Sequence, residues 1–352
     1  MATSFSFTAD AAEQALLHVQ GWQELDAGDV SVETVSGGLT NVLTKVEVSE
    51  AARAKVGNDA PTAVLVRHFG KGTGELVDRE REGAIFAHFG SIGLSPALLG
   101  TFKGGRIEAF FNAKTLASID CHDVDVAAKI GAHLARVHAA DVPIPHENGL
   151  PDNLFLWWKL AARSIMPDVE ATRKAMQFDM PRLHTEVASL IDLLASLNAP
   201  VTFTHMDLLA ANILQLREPG REGEVTFVDF EYGMYAWRGF DFGNHFAEAS
   251  INYSVDGHPG FVLNPDNYPS EETQTAFFTA YLAETGVTDP AAVAAAIPDL
   301  MHEARICSLA SHMLWGLWAI VRAANPSDEF GFLEFAAARL GQYFALRKKW
   351  GV

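Results

Sequence analysis

His205-Met206-Asp207 is followed five positions beyond the aspartate by Asn212, and a second acidic residue, Asp229, closes the apolar run VTFVD. An aspartate on a loop can accept a proton from a hydroxyl, while an amide oxygen and a second carboxylate are the hard ligands Mg²⁺ prefers. Phosphoryl transfer asks little covalent help of a protein; it asks for a positioned nucleophile, a proton acceptor and neutralised phosphate charge. The spacing H-x-D-x-x-x-x-N, with a strand-borne aspartate beyond it, supplies those parts: Asp207 as base, Asn212 and Asp229 as metal ligands. Taken singly, each residue is an ordinary cap or surface group. Together they point to an ATP-dependent phosphotransferase.

The elements around these residues must hold them in place. VTFTH reads as a short strand leading into the loop of Asp207, and VTFVD as a second strand. DFGNHFAE follows, carrying Asp241 and Glu248. Asp241 reads as structural, holding the catalytic loop by hydrogen bonds. Glu248, on spacing alone, reads as a solvated helix charge, with a cation-facing role as the alternative.

Upstream, residues 11–27 read as a helix, and VSVETVSGGLTNVLTKVEVSE as two strands joined at Ser36-Gly37-Gly38. Ser36, Gly37, Gly38, Thr40 and Asn41 are candidates to cover nucleotide phosphates, although an ordinary turn explains the same glycines. No Gly-Lys-Ser/Thr follows, so this is not a Walker A loop. PTAVLVRHFGKG is a strand with Arg67 near its end, where a cation would hold ATP phosphates. Glu80 and Glu82, on the next helix, are its expected partners, and the KGTG of residues 71–74 reads as a turn. SPALLGTFKGGRIEAFFNAKTL gives two more strands around Gly104-Gly105. The strand at 107–111 is the expected hinge, where backbone groups at Glu108 and Phe110 would reach adenine.

From residue 124 the period turns helical. His133 and His138 lie five apart, off a common helix face, and read as structural rather than as a metal pair. Residues 152–161, 180–197 and the Ala run at 291–296 read as further helices. The expected fold is α+β and protein-kinase-like: a small, mostly-β N-lobe over 1–111 and a larger, mostly helical C-lobe over 112–352.

Composition narrows the partners. Of 352 residues, 49% are apolar and 20% charged, as in a globular chain with a substantial core. The formal net charge of −18 argues against a nucleic-acid partner, which needs a basic face. Two cysteines, Cys121 and Cys307, make no disulfide framework, so a reducing, cytoplasmic setting is expected. The start MATSFSFTADAAEQ lacks the pattern of a signal peptide, and the apolar segment 306–321, interrupted by Ser308, Ser311 and His312, reads as a buried helix and not a membrane span.

FTHMDLLAANIL followed by FVDFEYGMYAWRGFDFGNHFAE resembles the choline/ethanolamine kinase family. So do SGGLTNVL, VLVRHFG, the ELVDRE helix start and ASHMLWGLWAIVRA…EFGFLEFAAARLGQYF, in the right order over nearly the whole chain. The resemblance implies a two-lobed kinase that phosphorylates an amino alcohol with ATP and Mg²⁺, and a possible homodimer. By the same resemblance Arg67, paired with Glu82, is the phosphate-binding cation, and Tyr232, Glu248, Tyr253, Trp315, Trp318 and Phe335 line the substrate pocket with Asp207. Aromatic faces and a carboxylate suit an ammonium, and Trp315 and Trp318, three apart on a helix, point to one side.

Two residues depart from the family pattern: Met206 stands where Asn is usual, and Phe335 replaces the Tyr typical of choline kinases. GTGELVDRERE is similar to ethanolamine kinases, whereas WRGFD and the C-terminal tail lean toward choline kinases. The expected reaction is phosphorylation of ethanolamine to phosphoethanolamine, the first step of the CDP-ethanolamine route to phosphatidylethanolamine. Choline kinase or dual activity is the alternative, ahead of an aminoglycoside-type phosphotransferase or a silent pseudokinase.

Overall fold

Val or Thr recurs at alternate positions in the first three strands of the first sheet, because β-branched side chains suit a pleated surface. The strands are β1 (Val30–Val35), β2 (Asn41–Val48), β3 (Ala63–Phe69), β4 (Leu98–Phe102) and β5 (Gly105–Ala109), antiparallel in the order β1-β2-β3-β5-β4. Gly104, at φ +94°, makes the tight turn between β4 and β5. The structure, a computed structural model, describes residues 2–35, 41–57, 59–69, 79–326 and 329–352, without the side chains of residues 2–7 and 41. Ser36, Gly37, Gly38 and Thr40, the KGTG segment and the side chain of Asn41 therefore lie outside the described residues.

The chain separates into two units, residues 1–114 with 215–231, and residues 115–214 with 232–352. In the first, α1 (Ala2–His18) lays Ala11 and Ala15 on a core with Val46, Val64, Val66 and Ile107. The helix starts and stops earlier than the expected 11–27. Gly21, at φ +89°, takes the chain out of helical geometry, so Trp22 and Leu25 prolong the apolar period but reach the core from a loop. Trp22 is buried, and its Nε1 donates to the Pro61 carbonyl at 2.7 Å. The second helix, α2 (Arg79–Ser91), buries Glu82, Ile85, Phe86 and Phe89. β6 (Ala113–Thr115), β8 (Ile213–Leu216) and β9 (Val225–Phe227) form a small sheet in the order β6-β8-β9.

The second unit is mainly helical: α3 (Val124–His138), α4 (Leu150–Arg163), α5 (Val169–Ala175), α6 (Met180–Ser196), α7 (Gly239–Glu248), α8 (Glu271–Glu284), α9 (Pro290–Ala324) and α10 (Phe332–Trp350). Its strands are β7 (Val201–Thr204), paired antiparallel with β10 (Met234–Trp237), and the short pair β11 (Ile251–Asn252) and β12 (Val262–Leu263). Asp123, Asp168, Asp179, Ser270 and Asp289 each cap a helix through the side chain, a contact worth about 1 kcal/mol apiece. The core is aromatic, with Phe240, Phe242, Phe246, Phe277 and Phe278 buried together. Full burial of each such ring contributes roughly 1.5–3 kcal/mol. A Cβ at Gly243 would sit 2.3 Å from the Ser308 backbone nitrogen, so only glycine lets α7 lie this close to α9.

The Ala run at 291–296 and the apolar segment at 306–321 belong to one helix, α9, which continues through Pro298. By length and composition α9 is apolar enough to cross a membrane, but 83% of its most apolar window is buried inside the protein, as the sequence implied. Cys121 and Cys307 are free and buried.

Candidate active site

The loop after β7 is held from beneath by one buried carboxylate. Asp241, in the first turn of α7, is wholly buried. Its Oδ2 accepts the His205 N–H at 2.7 Å, and its Oδ1 accepts the Met206 N–H at 2.9 Å. His138 Nε2 lies 3.2 Å from the same Oδ2, with its Nδ1 3.0 Å from the Tyr281 hydroxyl. His138 is thus structural, as its spacing implied. Met206 stands at φ +70°, a left-handed conformation that Asn tolerates far better than Met. The two N–H bonds to Asp241 offset that strain of about 1 kcal/mol.

Asp207 is half-buried and reachable by a hydroxyl. Asn212, at the end of a short turn over Ala210–Asn212, donates its Nδ2 to the Asp207 carbonyl at 2.8 Å and to Asp207 Oδ2 at 3.0 Å. The amide nitrogen therefore faces Asp207. Beneath the loop, burial pulls His245 down to about 4, so its ring is neutral near neutral pH. Its Nδ1 donates to the Leu208 carbonyl at 3.2 Å, since a carbonyl only accepts.

In the first unit, Arg67 and Arg106 face one another in register across β3 and β5. Both guanidiniums donate through Nε to Glu108 Oε1, at 2.6 and 2.7 Å. Arg106 also donates to Glu82 Oε1 at 2.8 Å and lies 4.0 Å over the Phe86 ring, while Arg79 donates to Glu82 Oε2. Burial alone would depress Arg67, but the charges of Glu108 and Asp229 outweigh it and hold the guanidinium above its ordinary value. Glu82 adds to this through its charge. The Glu108 carboxylate is lowered on balance, because Arg67 and Arg106 overcome its burial. That carboxylate therefore has one oxygen, Oε1, shared by the two arginines. The backbone of Phe110, just past β5, forms no hydrogen bond among the described residues. Its ring lies 4.6 Å from Lys45 Nζ.

Asp229 is not on the strand as expected. β9 ends at Phe227, and Asp229 follows at φ +65°, with Oδ2 3.8 Å from Arg67 Nη1. Acidic side chains tolerate this left-handed geometry, which aims the carboxylate out of the ladder. Its Oδ1 is buried without a hydrogen bond. Glu231, two residues on, is pushed up to about 8 by burial and by the charges of Asp229 and Glu82, with Arg79 at 3.6 Å opposing.

The predicted pocket residues gather in the second unit. Tyr232 and Trp315 meet edge to face at 5.2 Å, Trp315 and Trp318 at 5.4 Å, and Trp318 Nε1 donates to the Tyr232 hydroxyl at 3.0 Å. Tyr253 and Phe335 lie 6.1 Å apart, with Phe330 beside both. Phe332 joins the two groups, touching Trp318 and Phe330. Glu248 is buried, contrary to its reading as a solvated helix charge. Arg339 donates to its Oε1, and Tyr253 donates to its Oε2 at 2.8 Å. The Tyr253 ring is over a third exposed, yet its hydroxyl turns inward. Burial and the Glu248 charge push that phenol well above its ordinary value.

Sequence reading missed Arg339, Ser311 and Asn244, which tie this group together. A signal existed for Arg339: it falls on the stripe of Phe332, Phe335, Ala336, Leu340 and Tyr343 that α10 buries.

Among the described residues no cluster of three His, Cys, Asp or Glu could hold a metal alone. Asp229 Oδ1, buried without a hydrogen bond, is a hard oxygen donor of the kind Mg²⁺ takes.

A family model described as choline/ethanolamine kinase matches residues 32–344. A probable ethanolamine kinase of Arabidopsis thaliana is 33% identical over 324 residues, spanning 92% of this chain and 81% of that protein. A choline/ethanolamine kinase of Homo sapiens is 33% identical over 330 residues, spanning 92% and 82%. Among solved structures, a choline kinase from Cryptosporidium parvum matches with a TM-score of 0.78 at 23% identity, covering 97% of this chain and 96% of that one. The fold is thus the kinase-like α+β fold the sequence implied.

Proposed function

The chain belongs to the choline/ethanolamine kinase family, and on that premise we propose that it transfers the γ-phosphoryl group of MgATP to the hydroxyl of ethanolamine. Asp207 accepts or orients the hydroxyl proton, and Asn212 fixes the carboxylate through its Nδ2. Asn212 and Asp229 are the proposed ligands of Mg²⁺, which when bound neutralises charge on the phosphate oxygens. Arg67, kept charged and oriented by Glu108, is the proposed phosphate cation. Ser36, Gly37, Gly38, Thr40 and Asn41 cover the phosphates in this proposal, and backbone at Phe110 meets adenine.

One observation carries the amine half of the proposal. Glu248 is a buried carboxylate, bonded to Tyr253 and connected through α7, α9 and α10 to Trp315, Trp318, Tyr232 and Phe335. Each aromatic face is worth about 0.5–2 kcal/mol to a desolvated ammonium, and the carboxylate adds its charge. Choline is the second reading, favoured because both Glu248 oxygens already accept a bond. Such a carboxylate attracts an ammonium by charge more than by free acceptors, and this tolerates N-methylation. Two free buried cysteines fit action in the reducing cytoplasm.

Phosphorus NMR of a reaction containing ATP, Mg²⁺ and ethanolamine tests the reading. A new phosphomonoester signal that depends on ethanolamine supports it; inorganic phosphate as the sole product contradicts it.

A further inference from the structure

The buried guanidinium of Arg339 is the least expected charge in the second unit. It is wholly buried on an apolar stripe of α10, where an apolar side chain of similar length would avoid the desolvation of a cation. Its hydrogen bonds explain its presence. Nη1 donates to Glu248 Oε1, and Nη2 donates to Ser311 Oγ at 2.6 Å. Ser311 Oγ donates in turn to Asn244 Oδ1 at 2.7 Å, and the same Oδ1 accepts from Trp315 Nε1 at 2.9 Å.

The direction of every bond in this chain is forced. A guanidinium and an indole only donate, so Ser311 must accept from one side and give its single proton to Asn244. Asn244 Oδ1 then faces inward, and its Nδ2 is left buried without a partner. That unpaired donor is a penalty the arrangement carries in order to hold the oxygen between Ser311 and Trp315. The carboxylate of Glu248 and the ring plane of Trp315, on different helices, are therefore set by one fork, and the guanidinium also lies 5.6 Å over Phe335.

We propose that Arg339 is a positioning residue of the amine pocket: it aims the Glu248 carboxylate and, through Ser311 and Asn244, the Trp315 indole at a common ammonium. The inference rests on the amino-alcohol reading above. Arg339 touches no reacting atom, so its effect belongs to amine binding and not to phosphoryl transfer or ATP binding. A lysine would keep the charge, but a single ammonium cannot reproduce the planar fork that reaches Glu248 and Ser311 together.

The test compares wild type, Arg339→Lys and Ser311→Ala. Ser311→Ala keeps the Arg339–Glu248 contact but removes the acceptor of Arg339 Nη2 and the donor to Asn244, breaking the link to Trp315 without changing any charge, so it covers the case in which Arg339→Lys fails to fold. Loss of one such bond is expected to raise the KM for ethanolamine and for choline about 5- to 20-fold, with the KM for ATP within about twofold. Tryptophan fluorescence titrated with choline in the absence of ATP should show the same rise in Kd. A Ser311→Ala protein with unchanged amine KM and Kd overturns the proposal. Equal rises for amine and ATP would also overturn it, since they would show general loosening. Failure of wild type to turn over any amino alcohol would instead strike at the underlying functional reading.

Discussion

Replacing Asp241 by Asn keeps the shape of the side chain and removes its charge, which isolates what this carboxylate does for the catalytic loop. Asp241 accepts two backbone N–H groups, one on each oxygen, at 2.7 and 2.9 Å. An amide presents one oxygen and one NH₂, so one of those N–H groups would face a donor. Bonds to a buried charged group are worth about 1.5–3 kcal/mol each, and an orphaned donor adds a penalty of similar size. After relaxation, Asp241→Asn is expected to cost about 2–4 kcal/mol. Part falls on folding and part on the placement of Asp207, because Met206 at φ +70° then lacks one of its two restraints. If half appears in the transition state, at about 1.4 kcal/mol per decade, kcat falls roughly 5- to 30-fold. The melting temperature should drop by about 1–3 °C. Coupled ADP-release kinetics and thermal melts measure both. A variant with kcat within twofold of wild type and an unchanged melting point would refute the role assigned to Asp241.

Three further outcomes are expected. Asp207→Ala should lower kcat by about 10²-fold or more while ATP binding by calorimetry persists; near wild-type turnover would remove Asp207 from the role of base. Trp318→Ala should raise the amine KM about 2- to 30-fold, the equivalent of one cation–π face, and equal effects on amine and ATP would mark Trp318 as core. His245, held at about 4 when folded against an ordinary 6.5, titrates at higher pH in the unfolded chain. Its contribution is intact above pH 6.5 and is lost as pH falls from 6.5 toward 4, about 2 kcal/mol by pH 5. His245→Gln should therefore shrink the difference in melting temperature between pH 7.5 and 5; an undiminished difference would place that acid sensitivity elsewhere.

What the sequence made legible was local. The five strands, the placement of Asp207 and Asn212 on one loop and the structural role of Asp241 follow from spacings of fewer than 40 residues, where period and turn chemistry act. The partners of buried charges were not legible, because those pairings are made by tertiary packing. Arg67 finds Glu108 41 residues away, whereas the helix that follows it suggested Glu80 and Glu82. Glu248 finds Arg339 91 residues away, and without that partner a glutamate at the end of a helix reads as solvated. The alternation of VTFVD puts Asp229 on its strand; period alone does not reveal that the ladder stops at Phe227 and the backbone turns left-handed. The end of α1 is hidden in the sequence for a related reason, since Trp22 continues an apolar period from a loop.

An amino alcohol held by aromatic faces and a buried carboxylate is the proposed acceptor of the phosphoryl group. The most direct test is ADP release by the purified protein with ethanolamine, its N-methyl series and choline, each compared by kcat/KM against a reaction without amine. ADP release should require an amino alcohol and saturate with it, highest for ethanolamine or shared with its methylated relatives. ADP release that is absent across the whole series, or that is the same without any amine, would contradict it.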